Sequence, residues 1–503
     1  MDIRGGKVLG LGLLLACTAG CAQQRPPSAS AIAPATSSTS LHAEGLGAAS
    51  QVTTASSSFE AQAAAGAATV PAARAGTSRS SADAAAFAGS TLGASGTPRP
   101  EPAGLEVEVQ RDAFSDFSAE TGASDVVQDP RDPTRLYVVE ARGTLRVLDA
   151  SGDAPRLLRA FPLFEAPLGA GRALGRLELL DGLAVLPTWG PGFEGVALFD
   201  PRAAASSGDV RWFDLSGLSA TWPAGTRDSQ GLEVGGRPLP LSHVTGAARA
   251  AGALWLCCAN TGPEGDHAPG AVVALELGGA ALDGAALDGA ALDGAALRLG
   301  APRTLLRTSA FSPTGLTRRG DELLVTCTGA FGRTGGAIDR IDARSGERVA
   351  TIALGAADSA GPVVLNAAGT RGWTGSLAHA RAYALDLVAG TAVPSLELPE
   401  QGARAATRVA LSPSERRLYV GDEGQSALFV LELRGGQPEG APRRVAGFAR
   451  SGDPAAYQGL LRGFAVRPGA EEESVFALTS DLAPADRRLP GVELTLDRVA
   501  IRR

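Results

Sequence analysis

This chain is nearly without lysine: Lys7 is its one lysine, Met1 its one methionine, and Asn260 and Asn366 its only asparagines among 503 residues. These three residue types share AT-rich codons, so a GC-rich genome accounts for their scarcity more simply than selection for an arginine-covered, phosphate-gripping surface. With a formal net charge of -7 and no basic cluster interleaved with aromatics, a nucleic-acid partner is disfavoured. Helix-period stretches of any length are scarce. No CxxC, CxxCH or HExxH motif occurs, which leaves haem attachment, zinc-finger and zincin readings without support. The span Gly329 to Gly336 lacks a phosphate-loop lysine and a following helix, so it reads as a hairpin loop and not a nucleotide site. Hydrophobic content of 44% with 20% charged residues is nevertheless that of a globular protein with a large core.

What is present is a repeated strand-and-turn unit, cleanest from Val409 to Leu433. Val409 to Leu411 is a short apolar strand, Ser412 to Glu415 a turn, and Leu418-Tyr419-Val420 a second strand rich in aromatic and β-branched residues. Gly421 to Gly424 reads as another turn, Ala427 to Leu433 as a third strand, and Arg443 to Phe448 as a fourth. Four short antiparallel strands make one propeller blade, which cannot bury both its faces alone and so requires neighbours. Second strands recur at Leu136 to Val138, Leu183 to Val185, Leu254 to Leu256, Leu323 to Val325, Gly372 to Thr374, Leu418 to Val420 and Val475 to Ala477, at intervals of 46 to 71 residues. Third strands follow each, the last at Val492 to Leu496. The expected fold is therefore an all-β, seven-bladed β-propeller of four-stranded antiparallel blades over residues 105–503, with six and eight blades as the neighbouring alternatives. Leu105 to Val109 alternates apolar and acidic residues, and pairing it with the last blade closes the ring. The five-residue repeat that begins at Ala280 reads as slippage in a surface loop.

The run LSPSERRLYVGDEG from Leu411 to Gly424 resembles the repeat of the YVTN-type, lactonase-like β-propellers. It departs from that pattern with Glu415 in place of the usual glycine and Val-Gly-Asp in place of Val-Thr-Asn, and the match covers one blade well and the others loosely. The resemblance implies a propeller far more than an activity. Related propellers hold a divalent cation at the channel mouth, and Asn260, Asn366, Asp422 and Glu423 are the residues here that such a site would draw on. Ordinary turn chemistry by itself explains Asn and Asp at those positions and is the preferred reading for each.

Residues 1–21 carry Arg4 and Lys7, an apolar run from Val8 to Ala16, and small residues before Cys21, which is a secretory signal too short to span a membrane. Thr18-Ala19-Gly20-Cys21 resembles the lipobox of bacterial lipoproteins, which implies an acyl anchor on Cys21. Leu15-Ala16-Cys17 is a second such site, and an ordinary cleaved signal is the third reading. Ala22 follows the anchor where an inner-membrane aspartate would stand, so the resemblance implies the outer membrane. Residues 22–104, mostly Ala, Ser, Thr, Gly and Pro, cannot build a core and read as a disordered tether reaching on the order of 50 Å.

Export would put Cys257, Cys258 and Cys327 in an oxidising compartment. Alternation along the strand gives Cys257 and Cys258 opposite faces, and Cys257 can meet Cys327 between consecutive blades. A Cys257–Cys327 disulfide competes with buried, reduced thiols packed as small apolar groups. A soft metal shared with His243 and His267 needs ligands that strand geometry splits between faces. His243, before a first strand, and His379, in a hairpin turn, stand beside no evident nucleophile. The sequence thus supports a lipid-anchored monomeric envelope module that binds a protein or small ligand, without a cofactor. The alternatives are a lactonase-like hydrolase with a divalent metal in the channel, and a scaffold in an envelope complex.

Overall fold

Six consecutive buried residues, Ala253–Cys258, state the folding problem of this chain: a strand apolar on both faces needs protein on both sides. The computed structural model describes residues 105–502 apart from 116, 118–122, 141–142, 166–172, 191–192, 262–266, 279–297, 331–333, 356–360, 377–380, 399–405, 423–425, 449–459, 470–471 and 481–493. Among the described residues seven antiparallel blade sheets follow one another along the chain, with a separate two-stranded hairpin, Ser219–Thr221 with Pro238–Pro240, between the second and third. Blade 1 comprises Ala123–Asp129, Asp132–Glu140, Thr144–Asp149 and Arg156–Pro162, in order from the channel outward. Blades 2 to 6 span residues 173–214, 244–307, 313–353, 364–397 and 406–447 in the same order. In blade 2 the innermost position is shared by two short strands, Ala173–Leu174 and Glu178–Leu180, both paired with Leu183–Gly190. No α-helix occurs among the described residues, and the one 3-10 turn is Ser207–Asp209.

Blade 7 closes the ring. Its three inner strands, Leu460–Arg467, Glu472–Ser480 and Leu494–Arg502, come from the end of the chain, and its outer strand is Glu106–Phe114 from the beginning. The expected closing strand is therefore present and runs five residues beyond Val109. Charges lock it: Arg111 meets Asp497 at 2.8 Å and Arg502 meets Glu108 at 3.1 Å.

Each of the seven gaps between neighbouring blades holds its own apolar cluster among the described residues. The second-strand aromatics fill them: Tyr137, Trp255, Trp373, Tyr419 and Phe476 are all essentially inaccessible to solvent. Their burial makes them packing groups between blades. Fully burying a side chain of this kind contributes roughly 1.5 to 3 kcal/mol.

Strand direction fixes the two ends of the ring. Inner strands begin at what we call the upper end, so connections from second to third strands, and from one blade to the next, also lie there. Turns from first to second and from third to outer strands lie at the lower end. Two details differ from the sequence reading. Gly421 and Asp422 belong to the strand Arg417–Asp422 instead of a turn, because pairing with Ala427 and Leu428 continues to its last residue. Asn366 sits in a first-to-second-strand turn at the lower end, whereas Asn260 lies after a second strand at the upper end. The repeat that begins at Ala280 lies outside the described residues, as do residues 1–104 with Cys21.

Phe114 anchors the closing strand, stacked edge-on at 5.0 Å against Phe117 and packed with Val126, Leu136, Phe476 and Leu496 of blades 1 and 7. Phe114→Ala should cost about 3 kcal/mol, the low end for a core aromatic because the ring retains slight exposure. Denaturant unfolding of the variant measures this, and an unchanged midpoint would mean that the closing strand does not hold the ring.

Candidate functional site: the charged upper mouth of the channel

A register slip occurs near the start of the inner strand in blade after blade. One residue is skipped between Ala123 and Asp125, Val244 and Gly246, Pro313 and Gly315, Ala406 and Arg408, and Leu461 and Gly463. Such bulges kink a strand and re-aim its side chains. Their position is constant while the residue after the slip varies. In blades 3 and 4 it is glycine, and the strands come so close that a Cβ on Gly246 would lie 2.9 Å from the Cα of Gly315. In blades 1 and 6 the same position carries Asp125 and Arg408.

Those two charges meet across blade 7. Arg408 Nη1 donates to Asp125 Oδ1 at 2.6 Å, passing Gly463, where a Cβ would stand 2.9 Å from that oxygen. Arg176, in the interruption between the two inner strands of blade 2, brings its Nε within 3.6 Å of the other Asp125 oxygen and 3.8 Å of Glu178. Asp125 is fully buried, while 37% of the Arg176 side chain and 21% of Glu178 reach solvent. Burial pushes the Glu178 carboxyl up to about 7; Arg176 opposes the shift and Asp125 adds to it. For Arg176, burial acts to lower the pKa, and Glu178 with Asp125 outweighs it, holding the guanidinium charged. The mouth thus gathers two guanidiniums, the buried Asp125 carboxyl and a Glu178 carboxyl that burial pushes up to about 7, an arrangement suited to binding or proton transfer. None of these four residues stood out in the sequence; the available signal, for Asp125 and Arg408 alone, was a charge at the third residue of an inner strand.

The residues singled out from the sequence lie elsewhere. His243 precedes the inner strand of blade 3 in a left-handed conformation (φ 55°), and its N–H donates to Glu194 Oε2 at 2.9 Å. Burial pushes Glu194 up to about 7 against the N–H groups of His243 and Val244, and burial followed by His267 lowers His243. His267 Nδ1 lies 2.6 Å from Ser312 Oγ, and both residues are buried. Cys257 and Cys327 share the cluster between blades 3 and 4, whereas Cys258 faces blade 2, as alternation required. All three thiols are free, and burial pushes Cys257 up to about 12. Asn260 acts as a turn residue: Oδ1 accepts from Ser242 N–H at 2.9 Å and Nδ2 donates to Pro269 O at 2.7 Å. Asn366 likewise accepts from the N–H groups of Thr370 and Arg371. The set that the lactonase resemblance would gather is split between the ring's ends, with Asp422 buried in a strand and Glu423 outside the described residues; His379, a separate reading, also lies outside them. Among the described residues no group of three His, Cys, Asp or Glu is placed to hold a metal ion.

No protein-family model matches this chain, and no curated protein sequence matches it. The likeness to YVTN-type propellers therefore rests on the residues of one blade, while the propeller it implied is present.

Glu178 gives a pH signature. Its folded-state pKa lies above the unfolded value, so its stabilising contribution is complete below about pH 4.5 and is lost as pH rises through 7. Glu178→Gln should match the wild type in denaturant midpoint at pH 4, pull ahead between pH 4.5 and 7, and hold a constant advantage at pH 8. Parallel stability curves across that range would refute the assignment.

Proposed function

We propose that this chain is a recognition module of the bacterial cell envelope, presenting the upper end of its propeller to a protein or small ligand. The observation that carries this reading is the unlikeness of the two ends. At the lower end, the first-to-second-strand turns 130–131, 181–182, 251–252 and 320–321 are minimal. The lower end also has two long connections, 200–210 and 279–297, between third and outer strands, but the upper end carries more of them, 259–270, 328–336, 448–459 and 481–493, together with the inserted hairpin Ser219–Thr221 with Pro238–Pro240 and the charged mouth. A rigid ring that displays long connections at one end is a scaffold for binding. Acylated Cys21 holds the chain at the outer membrane, and residues 22–104 space the propeller from it. After export, disulfide exchange with an oxidised thiol-disulfide carrier joins Cys257 to Cys327, the two thiols passing two electrons and two protons to the carrier. A mass 2 Da below the reduced chain is the expected readout.

Two experiments test this reading. Cys21→Ala should move the chain from the membrane fraction to the soluble fraction, and an unchanged distribution would remove the anchor. A photo-cross-linker at Leu232, 63% exposed in the upper-end insertion, should capture a partner in cells, whereas one at Val388, 73% exposed in a lower-end turn, should not. Equal capture at both positions, or at Val388 alone, would refute the upper-end face.

A hydrolase is the second reading, favoured by the Ser312–His267 contact. Ser312 also holds a left-handed conformation (φ 51°), as reactive serines on tight turns do. Because both residues are buried, no labelling by a fluorophosphonate probe is expected. Labelling that Ser312→Ala abolishes would make the chain a serine hydrolase.

A further inference from the structure

The residue skipped at each inner-strand slip recurs at one height around the channel, as the slip itself does. In blade 2 the pairing shifts by one between Leu174–Thr188 and Glu178–Val185, and Gly175 N–H donates to Pro187 O at 2.7 Å, so Arg176 stands where the other blades have their skipped residue. In blade 7 that residue is Arg462, which precedes Gly463 and donates through Nε to Ser480 Oγ at 2.6 Å. With Arg408 of blade 6, three guanidiniums therefore stand along the arc from blade 6 through blade 7 to blade 2. Blades 3 and 4 carry Thr245 and Thr314 at the skipped position and no charge there.

Exposure decides which charge the channel meets. Inner strands are covered outward by second strands and sideways by neighbouring blades, so solvent reaches them through the channel. Asp125 is fully buried, whereas 37% of the Arg176 side chain and 20% of Arg408 are exposed. The guanidiniums thus face the channel, and the carboxyl they share stands behind them. Arg408 is tied to it by a hydrogen bond from Nη1. Arg176 is held only by ion pairs, at 3.6 Å to Asp125 and 3.8 Å to Glu178; it makes no hydrogen bond among the described residues, and its Nε is buried without a partner. A charged guanidinium with uncommitted donors is the group that grips a carboxylate or phosphate through two parallel bonds. Against an anion stands Glu178, 21% exposed, and burial keeps that carboxyl protonated below about pH 7. A cation would meet the guanidiniums first. We infer that the upper mouth binds an oxyanion, a carboxylate or phosphate group of the ligand, with Arg176 as its main donor and Arg408 beside it. This assignment rests on the upper end being the binding face and names the class of ligand it takes.

The test is calorimetric titration of the full chain with sodium sulfate and sodium acetate, at ionic strength held constant with sodium chloride, and with methylammonium chloride as the cationic probe. At pH 6 at least one of the two anions should bind saturably; tighter sulfate marks a phosphate-type group and tighter acetate a carboxylate. Arg176→Gln, with its fold verified by circular dichroism, should weaken that binding about tenfold. Sulfate and acetate keep their charge between pH 6 and 8, so a change in affinity over that range reports the protein. The groups that act on Glu178 are Arg176 beside it, Asp125 of blade 1 and Arg408 of blade 6, and Cys257 of blade 3, which Glu178 also reaches, stays a neutral thiol because burial pushes it up to about 12. Ionised Glu178 should therefore weaken anion binding about fivefold at pH 8, and Glu178→Gln should remove that loss. Saturable binding of neither anion, unaltered affinity in Arg176→Gln, or tighter binding of methylammonium would overturn the inference. Equal affinity at pH 6 and 8 in the wild type would remove Glu178 from the site. Capture of a partner at Leu232 without anion binding would leave the upper face standing and remove the oxyanion, and anion binding without that capture would do the reverse for a protein partner.

Discussion

Everything in this molecule follows from sheets that are apolar on both faces. A blade such as residues 244–307 cannot be covered by water on either side, so its stability is held in the two gaps it shares with its neighbours. Tyr419 and Val430 pack toward blade 7 while Leu418, Val420 and Phe429 of the same two strands pack toward blade 5. Removing one blade would expose two clusters, which makes the ring a cooperative unit. It also explains why the first strand of the propeller is spent on the last blade: an unclosed ring would leave Leu494–Arg502 as an open edge.

Within that constraint the inner strands do two jobs. Their bulge recurs at one height around the channel, so the geometry of the mouth belongs to the fold, while the residue at the bulge sets the local chemistry. Where neighbouring strands must nearly touch, glycine occupies the position, as at Gly246 and Gly315. In blades 6 and 1 the position carries charge, and Gly463 of blade 7 is the gap through which Arg408 reaches Asp125. The glycine and the ion pair are one device, because a methyl group on residue 463 would fall on the Asp125 carboxylate.

The fold was legible in the sequence because double-sided burial writes itself as uninterrupted apolar triplets with an aromatic, such as Leu136-Tyr137-Val138 and Leu254-Trp255-Leu256. The opposite orientations of Cys257 and Cys258 were legible for the same reason. Inner strands were much less visible: in blade 5 only Val364–Leu365 is paired, and in blade 2 the strand is broken around Arg176. The charged mouth was not legible. Asp125 and Arg408 are 283 residues apart, each a single charge among small or apolar neighbours, and they become partners only once the ring has closed. Asn366 is the turn residue its chemistry implied, but a turn signal does not report which end of a blade it serves.

A contrast within the ring separates the upper mouth from ordinary structural charge. At the lower end Asp129 is nearly as buried as Asp125, yet every need is met: Arg202 grips it through two nitrogens at 2.8 and 3.0 Å and Tyr137 donates at 3.0 Å. Burial alone would raise its pKa, but these bonds to the charged form hold it below the ordinary range. Glu473 is closed in the same way by Tyr419 at 2.5 Å and Arg417 at 3.1 Å. A buried charge is tolerable when its partners are complete and costly when they are not. Asp125 receives one full bond from Arg408, and its second oxygen looks across 3.6 Å to a guanidinium nitrogen that has no hydrogen-bond partner among the described residues. A chain that completes such carboxylates twice at one end of the ring has the means to do so at the other. Asp125 is not alone in this, since Arg135 Nε and Arg159 Nε are also buried without a hydrogen-bond partner among the described residues, so what sets the upper mouth apart is the gathering of two guanidiniums and two carboxyl groups from blades 6, 1 and 2 at one place.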